Sequence, residues 1–255
     1  MDGSNPFTDA FARKLAPPAV EVFNPADEVT KKLRGGVWER SELARGIYTG
    51  VLSFGRWLSV LGITPNAITY GALLFALGSG VAAGLGQYLL SAALLLTSGA
   101  FDLLDGVVAR AARMTTRFGA LLDSTVDRLS DALPLMGLTV ASAQRPLVSA
   151  VLVVAMMSGF AVSYVRARAE GLGIRLPTLF MRRAERVVLL LAALVVGSLT
   201  WPGFPSQAAM ISIIAVMAAL SLVAAVWALR SAYVVVALDD VARLSAPVAP
   251  TPSRP

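Results

Sequence analysis

The sequence predicts an all-α, polytopic membrane protein: about six transmembrane helices preceded by an interfacial amphipathic helix. Three observations lead there. Of 255 residues, 56% are hydrophobic and the mean hydropathy is +0.69, which is too apolar for a water-facing domain of this length. Six apolar stretches follow one another at roughly 65–86, 88–110, 118–141, 146–168, 183–200 and 207–235, each near the length that crosses a bilayer. Basic residues also alternate between connections. Those near 87 and 200–206 carry no Lys or Arg, and the one near 145 carries Arg145 alone. The intervening connections hold Arg110, Arg113 and Arg117, then Arg166, Arg168, Arg175, Arg182, Arg183 and Arg186. Basic groups concentrate on the inner side of a membrane, so both termini and these two connections are predicted to be cytoplasmic.

The elements follow in order. Residues 1–64 form a cytoplasmic segment of mixed charge, with Arg13, Lys14, Lys31, Lys32, Arg34 and Arg40 and no apolar core of signal-peptide type. Within it, Ser41 to Ile63 is apolar but interrupted by Glu42, Arg45 and Arg56, a pattern for a helix lying in the interface. The six-helix transmembrane domain spans 65–235 and opens at Thr64-Pro65-Asn66, a Thr cap followed by Pro at the first helical position. Gly80 and Gly84 in the first span predict close helix packing. The second and third spans hold the acidic residues discussed below, and the polar run Arg113 to Arg117 predicts the turn between them. The fourth span ends in Ser163-Tyr164-Val165-Arg166-Ala167-Arg168-Ala169-Glu170, and the fifth begins Arg182-Arg183-Ala184-Glu185-Arg186. After the sixth, residues 236–255 end in the Pro-rich SAPVAPTPSRP and are predicted to be a largely disordered cytoplasmic tail.

Four carboxylates stand where hydropathy predicts lipid: Asp102 and Asp105 in the second span, Asp123 and Asp127 in the third, arranged D-x-x-D-G-x-x-A-R, eight residues, G-x-x-x-D-x-x-x-D. An ionised group inside a membrane costs a few kcal/mol or more and is kept for an ion, proton or substrate site. Residues three or four apart share a helix face, so Asp102, Asp105, Gly106, Ala109 and Arg110 form one stripe and Gly119, Asp123 and Asp127 another. The turn between the helices would oppose the two stripes. Oxygen-only ligands suit Mg²⁺ or Mn²⁺, and a pair of such ions can clamp the attacking and leaving oxygens of a phosphoryl displacement. Helix-packing ion pairs or a proton path are the plainer alternatives. Asp131 continues the ladder and is predicted to pair with Arg128 within the helix. With no Cys and no His in the chain, disulfides and thiolate chemistry are excluded and any general base is a carboxylate, Lys or Tyr. The net charge of +6 matches an anionic leaflet, and no nucleic-acid-binding motif accompanies it.

The stretch from Asp102 to Asp127 resembles the signature of the CDP-alcohol phosphotransferase family at every fixed position. The family's six-span layout, with an interfacial helix before the first span, agrees with residues 65 to 235. The resemblance implies an enzyme that moves a phosphatidyl group from CDP-diacylglycerol to an alcohol and releases CMP. It also implies two divalent cations, Mg²⁺ or Mn²⁺, on Asp102, Asp105, Asp123 and Asp127, with Asp127 as general base. Gly106, Arg110 and Gly119 would face the nucleotide, joined by Asn66 and Thr69, although the helix start at Thr64-Pro65 accounts for that run equally well. The S-Y-V-R-A-R-A-E and R-A-E-R runs are similar to those of bacterial family members that use inositol phosphate as acceptor. On that likeness Arg166, Arg168, Arg183 and Arg186 would bind the acceptor phosphate, with Glu170 and Glu185 orienting them. Ordinary anchoring at lipid headgroups is the alternative for these arginines. Glycerol 3-phosphate is the rival acceptor, with phosphatidylglycerophosphate as product, and a transporter or ion pathway the remoter class. The resemblance further implies a homodimer among membrane lipids, in a bacterial plasma membrane, with its active site facing the cytoplasm.

Overall fold

The computed structural model describes residues 62, 64–111, 115–174, 176–177, 180–200 and 202–245. The predicted interfacial helix before Thr64, Arg113 and Arg175 lie outside them, as does the tail from 246 onward. Among the described residues there are six helices and no strand: α1 Pro65–Gly84, α2 Tyr88–Ala111, α3 Arg117–Ala141, α4 Pro146–Gly171, α5 Arg183–Gly197 and α6 Ser206–Ser245. Each matches one predicted span. Four of them, α1, α2, α4 and α6, are long and apolar enough to cross a membrane by length and composition alone. α3 carries Arg117, Asp123, Asp127, Arg128 and Asp131, and α5 has only 15 residues.

Local chemistry sets the boundaries. Thr64 caps α1 by accepting from the backbone N of Ala67 at 3.3 Å, with Pro65 next. Thr116 caps α3 by accepting from the N of Gly119 at 2.9 Å. Gly86, at φ +75°, turns the chain between α1 and α2 in a conformation that L side chains avoid. One boundary corrects the sequence reading: α6 continues ten residues past 235, so the stretch 236–245 is helical rather than disordered. The run after Tyr233 holds no Gly or Pro until Pro247, and the pre-proline residue Ala246 is the first position biased against helix.

The packing divides naturally. α1 lies along both α2 and α3, α4 and α5 lie against α6, and contacts of α3 with α4 and of α2 with α5 join the two groups. Backbone approach is closest where Gly137 of α3 meets Gly80 and Gly84 of α1; a Cβ at Gly137 would overlap the carbonyl of Gly80. The predicted role of that glycine pair is thus borne out. α1 and α2 are also tied by buried hydroxyls, Ser79 donating to the Ser91 carbonyl and Ser98 to the Ala72 carbonyl, each at 2.8 Å. Leu135, Leu138, Leu152, Leu194 and Ile214 fill the core. Leu74, Leu89, Leu96, Met157, Val188 and Leu229 point outward and exposed, the arrangement expected where lipid rather than water surrounds the bundle.

Candidate active site

The acidic stripes of α2 and α3 face each other. Carboxylate oxygens of Asp102, Asp123 and Asp127 lie within 4.8 Å of one another, each side chain half-buried. Asp105 is buried and turned toward α1, where the Thr69 hydroxyl stands 2.5 Å from its Oδ2. That hydroxyl is also 3.1 Å from the Pro65 carbonyl, but its single proton favours the closer, charged acceptor. Thr69 therefore holds the fourth carboxylate on the α1 side, and Asp105 is not among the three whose oxygens converge.

Two cavities flank this cluster. The first, about 210 Å³, is lined by Asn66, Thr69, Asp105, Gly106, Arg110, Gly119 and Asp123 among others. All five residues predicted to face a nucleotide share it. The glycines keep it open. A Cβ on Gly119 would stand 3.0 Å from Thr116 Oγ1 and 3.4 Å from Asn66 Oδ1, and one on Gly106 would stand 3.3 Å from the Arg110 guanidinium.

The second cavity, about 180 Å³, lies between α3, α4 and α5. Five arginines line it (Arg128, Arg166, Arg182, Arg183 and Arg186) against three carboxylates, Asp127, Asp131 and Glu170. The excess of positive charge suits an anion. Arg166, Arg183 and Arg186, three of the four arginines named from the sequence, are in this lining. Arg168 is exposed and does not line this cavity.

Arg183 connects the cluster to the arginines. Its NH1 donates to Asp102 Oδ2 at 2.7 Å and lies 2.7 Å from Asp127 Oδ1, while its Nε donates to Asp131 Oδ1 at 3.4 Å. Arg186 is almost fully buried. It donates to the Met181 carbonyl at 2.9 Å, Asp131 Oδ2 at 3.0 Å and the Ser163 hydroxyl at 3.4 Å. Met181 itself sits at φ +54°, a left-handed conformation costly for a non-glycine and held here by its buried side chain and by Arg186. Glu185 accepts from the backbone N and Nε of Arg182 at 3.1 and 3.3 Å, so the arginine it orients is Arg182 and not one of the four predicted for the acceptor phosphate.

Asp131 differs from expectation. Its partners are Arg183 and Arg186, not Arg128, whose NH1 donates to the Ser124 carbonyl of its own helix. Tertiary packing brings two guanidinium groups of α5 to the carboxylate, and the intrahelical partner turns to the backbone instead. Arg128, Arg182 and Ser163 line the second cavity although none of them was predicted as a site residue. Arg128 adjoins Asp127, and the other two belong to the motif runs already quoted. Gly159 was also passed over, although a Cβ there would stand 3.4 Å from Arg186 Nε.

The donor set fits a hard divalent cation. Its ligands are carboxylate oxygens without nitrogen or sulfur, and Asp127 Oδ1 is buried yet accepts no hydrogen bond, since the nearby Arg183 NH1 is not aligned for one. An acid cluster of this kind, with one cavity toward α1 and an arginine-rich one toward α5, defines a membrane-embedded transferase acting on phosphate groups. Residues 62–227 match the model of the CDP-alcohol phosphatidyltransferase family, and the chain belongs to that family.

Among its relatives is the archaetidylinositol phosphate synthase of Methanothermobacter thermautotrophicus, 41% identical over 148 residues, covering 58% of this chain and 74% of that one. The phosphatidylinositol phosphate synthase of Mycobacterium tuberculosis is 32% identical over 169 residues, covering 64% of this chain and 77% of the relative. A crystal structure of a Mycobacterium tuberculosis phosphatidylinositol phosphate synthase with CDP-DAG bound superposes with a TM-score of 0.66 at 27% identity, over 72% of this chain and 93% of the other. A second structure, of the complex with manganese and citrate, matches with the same TM-score and identity over 72% and 88% of the two chains.

Proposed function

We propose that this enzyme transfers the phosphatidyl group of CDP-diacylglycerol to inositol phosphate, giving phosphatidylinositol phosphate and CMP, at the cytoplasmic face of a bacterial plasma membrane. The observation that carries the proposal is the placing of the carboxylate cluster between two unlike cavities, one bounded by small and polar residues and the other by five arginines. CDP-diacylglycerol occupies the first, its cytidine accommodated over Gly119 and beside Asn66, and its phosphates meeting Gly106 and Arg110. The acceptor's phosphate is held in the second by Arg166, Arg183 and Arg186, gripped by the guanidinium groups in bidentate fashion.

Asp127 belongs to both the cluster and the second cavity, so it is the carboxylate that reaches the acceptor hydroxyl. It takes the hydroxyl proton as the oxygen bonds to the lipid-side phosphorus, and the bond from that phosphorus to the bridging oxygen breaks to release CMP. Asp102, Asp105, Asp123 and Asp127 would hold two divalent cations, Mg²⁺ or Mn²⁺, whose charge lowers the hydroxyl's effective pKa and stabilises the phosphoryl transition state. The family resemblance further supports a homodimer, to be checked by light scattering in detergent or nanodiscs.

Purified enzyme supplied with CDP-diacylglycerol, inositol phosphate and Mg²⁺ should release CMP. Glycerol 3-phosphate, run in parallel, should be the poorer acceptor; a preference for it would make the product phosphatidylglycerophosphate. Absence of CMP with every phosphorylated alcohol would overturn the proposal.

A further inference from the structure

Asp131 lies one helical turn beyond Asp127, outside the four-carboxylate signature, and the proposed chemistry gives it no task. It is nonetheless the residue on which two arginines of α5 converge. Oδ1 receives Nε of Arg183 at 3.4 Å and Oδ2 receives NH2 of Arg186 at 3.0 Å. The far side of the same Arg183 guanidinium reaches Asp102 and Asp127, so Asp131 sets the position of a group that touches the reacting cluster.

We propose that Asp131 is a positioning residue for the acceptor phosphate, holding Arg183 and Arg186 side by side so that both present free N–H groups to one anion. Two neighbouring guanidinium groups repel, more strongly away from bulk water. A carboxylate between them offsets that repulsion in the resting enzyme and fixes two long side chains before the acceptor arrives, so less ordering is left for the binding step. Both roles need the negative charge, and both act through the arginines rather than by contact with substrate. The inference rests on the arginine cavity being the acceptor site.

The test compares Asp131→Asn and Asp131→Glu with wild type, each confirmed as folded by its melting transition in detergent. Loss of a charge-assisted partner raises the KM for inositol phosphate about tenfold or more in Asp131→Asn. The longer carboxylate of Asp131→Glu keeps the charge but displaces the guanidinium groups, and gives a smaller rise of about threefold. In both, the KM for CDP-diacylglycerol and the affinity for Mn²⁺, read by electron paramagnetic resonance, stay within about twofold of wild type, which general damage to the bundle would not allow. If Asp131→Asn does not fold, Asp131→Glu is read alone. An unchanged acceptor KM in a folded variant, or an equal rise in both KM values, overturns the inference. A wild-type enzyme that uses another phosphorylated alcohol overturns the choice of inositol phosphate instead, and the variants are then read on that alcohol. No CMP with any phosphorylated alcohol overturns both.

Discussion

Asp127 is the residue where binding and chemistry meet. Its Oδ1 is buried and lies 2.7 Å from a guanidinium nitrogen without an aligned hydrogen bond, and the residue belongs to both the acid cluster and the lining of the second cavity. Replacement by Asn keeps the shape and removes both the charge and the proton acceptor. Asp127→Asn should lower kcat by about 10²-fold to 10⁴-fold, the range for loss of a general base, with a melting temperature close to wild type. CMP release and a thermal melt on the same preparation check this. Gly119 tests the other side. Its missing Cβ leaves the space beside Asn66 and Thr116 open, so Gly119→Val should raise the KM for CDP-diacylglycerol about tenfold or more and leave the acceptor KM little changed, because uniform substrate binding is what the added methyl groups obstruct. Steady-state kinetics with each substrate varied in turn separates the two. A variant that altered only the acceptor KM would move the nucleotide away from Gly119.

At the scale of the helices, the tightest constraint is the crossing of α1 and α3. Gly137 has no room for a side chain against Gly80, and this crossing also sets Asn66 and Thr69 opposite the acids. Gly137→Leu should force the helices apart, destabilising the protein by about 1–3 kcal/mol or more, as overpacking does, and activity should fall with the melting temperature. What the sequence revealed follows from the range of each interaction. Helix spacing alone aligns Asp102 with Asp105 and Asp123 with Asp127, so the cluster was legible from local periodicity. The same periodicity explains Arg168: residues two apart on a helix do not face one another, so Arg166 and Arg168 could not both line one wall, whereas Arg183 and Arg186, three apart, do. The pairing of Asp131 was not legible, because its partners are 52 and 55 residues away and an intrahelical arginine offered a plausible local answer. Neither was the hold of Thr69 on Asp105, across 36 residues. α6 overran its predicted end because hydropathy marks where lipid stops, not where a helix must stop.

At the scale of the whole molecule, the distribution of charge makes a statement about direction that the helices alone do not. Arginines gather at the end of the bundle where α4 closes and α5 opens, the same end that carries the acid cluster, while the connection between α1 and α2 holds Gln87 and no basic residue. Basic connections remain on the cytoplasmic side, so the water-soluble acceptor and the released CMP should exchange with the cytoplasm. The chain has no cysteine, which makes the orientation directly measurable. Gln87→Cys and Leu172→Cys each place one thiol at an exposed position, at opposite ends of the bundle. In intact cells a membrane-impermeant maleimide should label Gln87→Cys at once and Leu172→Cys only after the membrane is opened; in inverted vesicles the order should reverse. Both variants should retain CMP release, since neither residue lines a cavity beside the acids. Labelling of Leu172→Cys from outside would place the arginines and the active site on the other face, and the acceptor would then have to be supplied from there.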